Sequence, residues 1–167
     1  MVLSALTLLR EQVARADSLT TEVFANVTTE QLVWLPSGGM TNPIGSTFLH
    51  LYHAEDRLIH RLLGDKPTLF AANGWQARLG YDPAQPWTPL SNPDPSALRA
   101  YAVEVGAATK SYLEGLEPEE LEREVATARG QRPLHAALSL NLVIHKFTHL
   151  GEIAGLLGCQ GIKGFPV

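Results

Sequence analysis

The 167-residue sequence predicts an all-α fold, a four-helix bundle with a long crossover connection between helices 2 and 3. Three observations predict it. Apolar residues recur at helical spacing in four long segments. Asn42-Pro43 and Asp94-Pro95 pair a capping residue with a proline suited to the first helical position. No long segment alternates apolar and polar residues as a strand would. A chain of this length buries a sizeable core as one unit, so a single domain over residues 1–167 is expected.

Helix 1 is expected from about Leu3 to Phe24, with Leu6, Leu9, Val13, Ala16, Leu19, Val23 and Phe24 on its apolar stripe. Arg10, Arg15 and Asp17 fall on its other faces. Thr28 and Gln31 have capping-box spacing and predict a short helical turn, ended by Pro36 and Gly39. Helix 2 opens at Asn42-Pro43, carries Phe48, Leu51, Tyr52, Leu58, Ile59 and Leu62 on its stripe, and closes at Gly64. Residues 65–93 are rich in proline and read as a long ordered connection with one short helix near 74–79. Helix 3 starts at Asp94-Pro95 and shows Leu98, Tyr101, Val105, Ala108, Tyr112 and Leu113 on one face. Residues 121–132 are charged and read as a hairpin or an extended link, with Val125-Ala-Thr-Ala128 as a short strand. Helix 4 runs from near Pro133 to near Gly158.

Composition excludes several function classes. The net charge is −4 with no basic cluster, so there is no electrostatic footprint for nucleic acid. No apolar run reaches the roughly 18 residues that a membrane span needs. The first residues lack a basic start and a cleavage pattern and read as a helix rather than a leader. Cys159 has no partner for an internal disulfide, which fits a reducing, cytoplasmic setting, and its place after the last helix reads as a small buried or capping residue.

His145 and His149 carry the strongest chemical signal. At about 100° per residue, positions i and i+4 stack on one helix face. Both fall among Leu138, Leu142 and Leu156, inside the apolar stripe. A buried imidazole needs a partner, and His-x3-His on a helix supplies two ligands to a metal ion. Helix 2 offers His50 and His53, and wheel geometry puts neither at the centre of its apolar face. It does put Glu55 inside, to accept from a ligand histidine or to pair with a tyrosine or with an arginine such as Arg57 or Arg61 of a neighbouring chain. His60, in the last turn of helix 2, reads as structural, and His135 as solvated. Trp34, Phe70, Trp75, Tyr81 and Trp87 either wall a pocket or cover the bundle ends and a dimer surface, the second reading being preferred. Arg78 is the loop cation to consider for an acidic substrate group.

Two segments together resemble the DinB/YfiT-like superfamily of four-helix bundles. One is Ile44-Gly-Ser-Thr-Phe-Leu-His50-Leu-Tyr-His53-Ala-Glu55-Asp56, similar to a family helix with a ligand His, an aliphatic residue next, and an acid five residues on. The other is His145-Lys-Phe-Thr-His149-Leu-Gly151-Glu152-Ile153, similar to the family's His-x3-His-x-Gly-Gln-Ile, with Glu152 where Gln is common. The resemblance implies a three-His site for a divalent metal ion, open to solvent at one end, with His50, His145 and His149 as ligands. His53 stands as the alternative third ligand or as a nearby acid/base, and His53 and Glu55 are the candidate catalytic residues. Zn, Ni, Fe and Mn all accept imidazole. The resemblance further implies a homodimer and a metal-dependent enzyme acting on a small molecule, a thiol S-transferase or a hydrolase. The alternative is a non-catalytic metal-binding or stress-response bundle.

Overall fold

Ser4 accepts a hydrogen bond from the Thr7 amide and starts α1, Ala5–Phe24, in the computed structural model, which describes residues 4–128 and 130–165. Leu3, at the expected start of helix 1, lies outside the described residues. Thr28 and Gln31 form the expected capping box on α2, Thr29–Val33, worth about 1 kcal/mol. Helix 2 is α3, Ile44–Asp56, prolonged by a π-helical segment, Arg57–Leu63. Pro43 itself takes the cap position, so α3 begins one residue later than the Asn-Pro signature implies. The π segment closes hydrogen bonds five residues apart instead of four, which turns the following side chains off the regular wheel. Leu62, assigned by periodicity to the apolar stripe, is exposed for that reason.

The crossover holds two short helices, α4, Leu69–Ala72, and α5, Trp75–Leu79. Asp56 ties it down. This buried carboxylate accepts from the Leu69 and Phe70 amides at 3.0 and 2.9 Å and from the Tyr101 hydroxyl at 2.8 Å. Its other near neighbour is His60 Nδ1, 2.8 Å from Oδ1, which gives His60 the expected structural role. Gly80 ends α5 at φ +60°, where a Cβ would come within 1.9 Å of Ser91 Oγ, so only glycine lets the loop fold back there.

Asp94 caps α6, Pro95–Glu114, by accepting from the Ser96 amide at 2.8 Å. A 3₁₀ turn, Pro118–Glu122, leads to an antiparallel hairpin of β1, Glu124–Thr127, and β2, Gly130–Pro133, with Val125 opposite Arg132. The hairpin reading of this stretch is the one adopted. Helix 4 is continuous but composite: α7, Leu134–Leu138, a second π segment, Ser139–Ile144, and α8, His145–Cys159. Cys159 is the exposed last residue of α8, so the buried one of its two readings does not hold.

α1 and α3 each pack against both α6 and α8. The core divides into two apolar clusters along the bundle. One holds Phe24, Phe48, Tyr52, Trp75, Tyr101 and Leu150, the other Leu9, Val13, Leu58, Leu113, Leu138 and Leu142. Between them lies a polar layer with one residue from each long helix. Lys146 of α8 contacts Asp17 of α1 and lies 2.6 Å from Glu55 of α3, which accepts from Thr109 of α6 at 2.6 Å. Burial pulls the Lys146 ammonium down, but Glu55, Tyr52 and Asp17 outweigh it and hold the group above its ordinary range. Among the described residues, no helix is long and apolar enough to cross a membrane.

Candidate metal centre

α3 and α8 lie side by side, and their outer flanks bring His50, His145 and His149 together. His145 Nε2 is 3.2 Å from His50 Nε2 and 3.0 Å from His149 Nε2. The i,i+4 spacing on α8 places one imidazole over the other, with centroids 4.5 Å apart and planes nearly perpendicular. His149 Nδ1 lies 2.7 Å from Glu152 Oε2. That carboxylate fixes the proton on Nδ1 and leaves the Nε2 lone pair aimed at the other two rings.

His50 is held low, to about 4, first by burial and then by the fields of His145, His149, His53 and Arg57. Neutral imidazole is the form that binds a metal. The spacing fits an ion as well: with metal–nitrogen bonds of about 2.0–2.1 Å, neighbouring ligand nitrogens stand roughly 3.0–3.4 Å apart. Three imidazoles within reach of one point form a donor set suited to Zn, Ni, Fe or Mn, with open positions left on the ion.

Trp87 roofs the cluster. Its ring is 4.4 Å from that of His50 and 6.0 Å from that of His149. Buried Ser46, one turn before His50, donates to the Thr88 carbonyl and fixes the crossover beside the histidines. The preferred reading of the aromatics as bundle-end cover therefore does not hold for Trp87. Trp75 is buried in the core and donates from Nε1 to Glu104 at 3.0 Å, and Trp34 packs on the edge of that core. Sequence gave no signal to single out Trp87, because its contact with His50 depends on how the crossover folds back.

The other candidates lie elsewhere. His53 faces Phe70 and Tyr81, with centroids 4.9 and 5.8 Å away, and is outside the three-His cluster. Burial, then Arg57, lowers its pKa. Glu55 pairs with Lys146 and Thr109 in the polar layer, with neither a ligand histidine nor an arginine. It points to the bundle axis, whereas His50 points to the outer flank. Asp17, placed off the apolar stripe of helix 1, and Lys146, which the sequence did not single out, complete that layer. Arg78 lies over the Trp75 ring at 3.8 Å from its centroid. His135 is half-exposed, with Glu122 at 4.0 Å.

A cavity of about 510 Å³ opens beside the cluster, with His50 and His145 in its wall. Both π segments contribute to that wall, through Arg57, Leu58, Arg61 and Leu62 on one side and Leu140, Asn141 and Ile144 on the other. π-helical turns inside longer helices recur at functional sites.

A crystal structure of a conserved protein from Enterococcus faecalis has the same fold, with a TM-score of 0.73 at 16% identity, over 94% of this chain and 99% of that one. No curated protein matches the chain. The sequence profile of the DinB superfamily matches residues 12–153, a stretch that contains all three clustered histidines and the long helices that carry them. The chain is a member of the DinB superfamily.

Proposed function

We propose that the protein is a divalent-metal-dependent enzyme, a thiol S-transferase or a hydrolase, in which His50, His145 and His149 hold the ion. The observation that carries this reading is the convergence of three Nε2 atoms at the edge of a cavity large enough for a small molecule. A divalent ion held there supplies a lowered pKa for a bound water or thiol and so a nucleophile near neutral pH. The chain does the rest. Glu152 orients His149, Trp87 keeps bulk water off His50, and the cavity receives the substrate. His53 stands one helical turn from His50 and serves as the candidate acid/base, whereas the ion-paired Glu55 does not. A cytoplasmic setting and a homodimer formed through the bundle helices belong to the same reading. Phe147 is exposed on helix 4, which supports the pairing.

The test is metal content. Protein purified without an affinity tag is analysed by mass spectrometry, for the natural chain and for His149→Ala. About one ion per chain, lost in the variant, is expected. Stoichiometry far below one and unchanged by the substitution would sink the metal reading. Loaded protein is then screened for thiol transfer and hydrolysis. Full occupancy without turnover on any substrate favours the non-catalytic, metal-binding alternative.

A further inference from the structure

The cavity beside the histidines is cationic. Arg57 and Arg61 enter its wall from the π segment of helix 2, and Arg132 from β2 of the hairpin. No aspartate or glutamate among the described residues lines it. Among the described residues, none of the three guanidinium groups has a carboxylate within 4.0 Å. The contrast with the rest of the chain is sharp, since the net charge is −4 and Lys146 and Arg10 are both spent on internal partners. The Nε of Arg132 finds no hydrogen-bond partner among the described residues, so the surrounding protein leaves this guanidinium unsaturated. Asn141 and Thr148 add neutral polar groups to the same wall, while Leu58, Leu62, Leu140 and Ile144 make the remainder apolar.

We propose that this cavity binds a small organic anion, whose carboxylate or phosphate is held by Arg57, Arg61 and Arg132 while its apolar body lies toward His50 and His145. Arginine suits such a group because its planar fork donates two parallel hydrogen bonds to one oxyanion. Anchoring one end of the molecule at the guanidinium groups presents its other end to the histidine cluster, so the three arginines select the substrate class. The inference rests on the histidine cluster being the reaction centre, but the anion site itself is testable apart from the metal.

The experiment is calorimetric titration of the tag-free protein at low ionic strength with succinate, inorganic phosphate and succinamide, with metal content measured on the same samples. Saturable binding of succinate or phosphate, and weak or no binding of neutral succinamide, is expected. The stronger of the two anions identifies a carboxylate or a phosphate ester as the natural group. Arg61→Gln and Arg132→Gln should each weaken the anion about tenfold or more. Lys110→Gln, at an exposed cation elsewhere, should not. Arg61 is exposed on the cavity rim, so its variant keeps the test alive if Arg132→Gln fails to fold. Binding of succinamide equal to succinate, folded arginine variants with unchanged affinity, or no saturable binding of either anion would overturn the proposal. Anion binding retained in a His149→Ala protein that has lost its metal supports the anion site and separates it from the metal reading. Wild-type protein that binds succinate but holds no ion supports the anion site and removes the metal reading alone.

Discussion

His149 gives its Nδ1 to Glu152, 2.7 Å from Oε2, and thereby commits its Nε2 to the point it shares with His145 and His50. The two residues are one turn apart on α8, so the pair is set by local geometry. Removing the carboxylate frees the ring to rotate and to change tautomer. Glu152→Ala should lower metal affinity about 10–100-fold, read by competition with a chromogenic chelator, with stoichiometry at saturating metal unchanged. Glu152→Gln should retain most of the affinity, because the amide oxygen still accepts from Nδ1.

The third ligand can be separated from its neighbour on the same helix. His50 Nε2 faces His145, whereas His53 packs against Phe70. His50→Ala should reduce bound metal to a small fraction of the wild-type value in native mass spectrometry, and His53→Ala should leave the stoichiometry intact. The reverse pattern would move the site one turn along α3.

Trp87 reports on occupancy. Its ring lies 4.4 Å from that of His50, whereas Trp75 is buried among core aromatics. Titration with Ni²⁺ or Co²⁺ should quench tryptophan emission in the wild type. Trp87→Phe should remove the larger part of that quench, with the metal content unaltered.

The polar layer predicts a stability effect that leaves the site alone. Lys146 is fully buried between Asp17 and Glu55. Lys146→Met leaves two carboxylates without their cation, and breaking such a pair from one side costs about 3–5 kcal/mol. Urea unfolding should show that loss, while metal per folded chain stays at the wild-type value. Because the layer takes one residue from each long helix, it also fixes their relative register.

Alkaline pH should weaken the same layer. The Lys146 ammonium is held above its ordinary range and Tyr52 is raised as well, chiefly by burial. A raised folded pKa means that the native state keeps the proton longer than the unfolded chain. Its contribution is whole below the unfolded values of about 10 and is lost as pH rises through the folded ones. Thermal midpoints should therefore hold steady from neutral pH to about 10 and fall beyond it. In Lys146→Met, which already lacks the ion pairs, that fall should be shallower.

Four helices, the caps at Thr28 and Asp94 and the His145–His149 pair were legible from the sequence, because each depends on residues close together in the chain. The Thr28 capping box, the Asp94 cap and the i,i+4 stacking of imidazoles follow from backbone periodicity alone. Periodicity misled where the helix departed from regular geometry. The π segments at Arg57–Leu63 and Ser139–Ile144 shift the wheel, so Leu62 comes out exposed and Arg57 and Arg61 come into a cavity wall.

The remaining decisions belong to packing between helices. Spacing on α3 left His50 and His53 equal, and the approach of α8 brings only His50 to the other two histidines. Glu55 was correctly placed inside, yet its partners come from α6 and α8, residues 109 and 146, which no local pattern ties to position 55. Trp87 meets His50 because Ser46 holds the crossover down, and Arg132 joins Arg57 because the hairpin folds onto helix 2. Local sequence sets which face of a helix a side chain occupies. Only the packed bundle sets what that face meets, because the closing contacts join residues far apart in the chain.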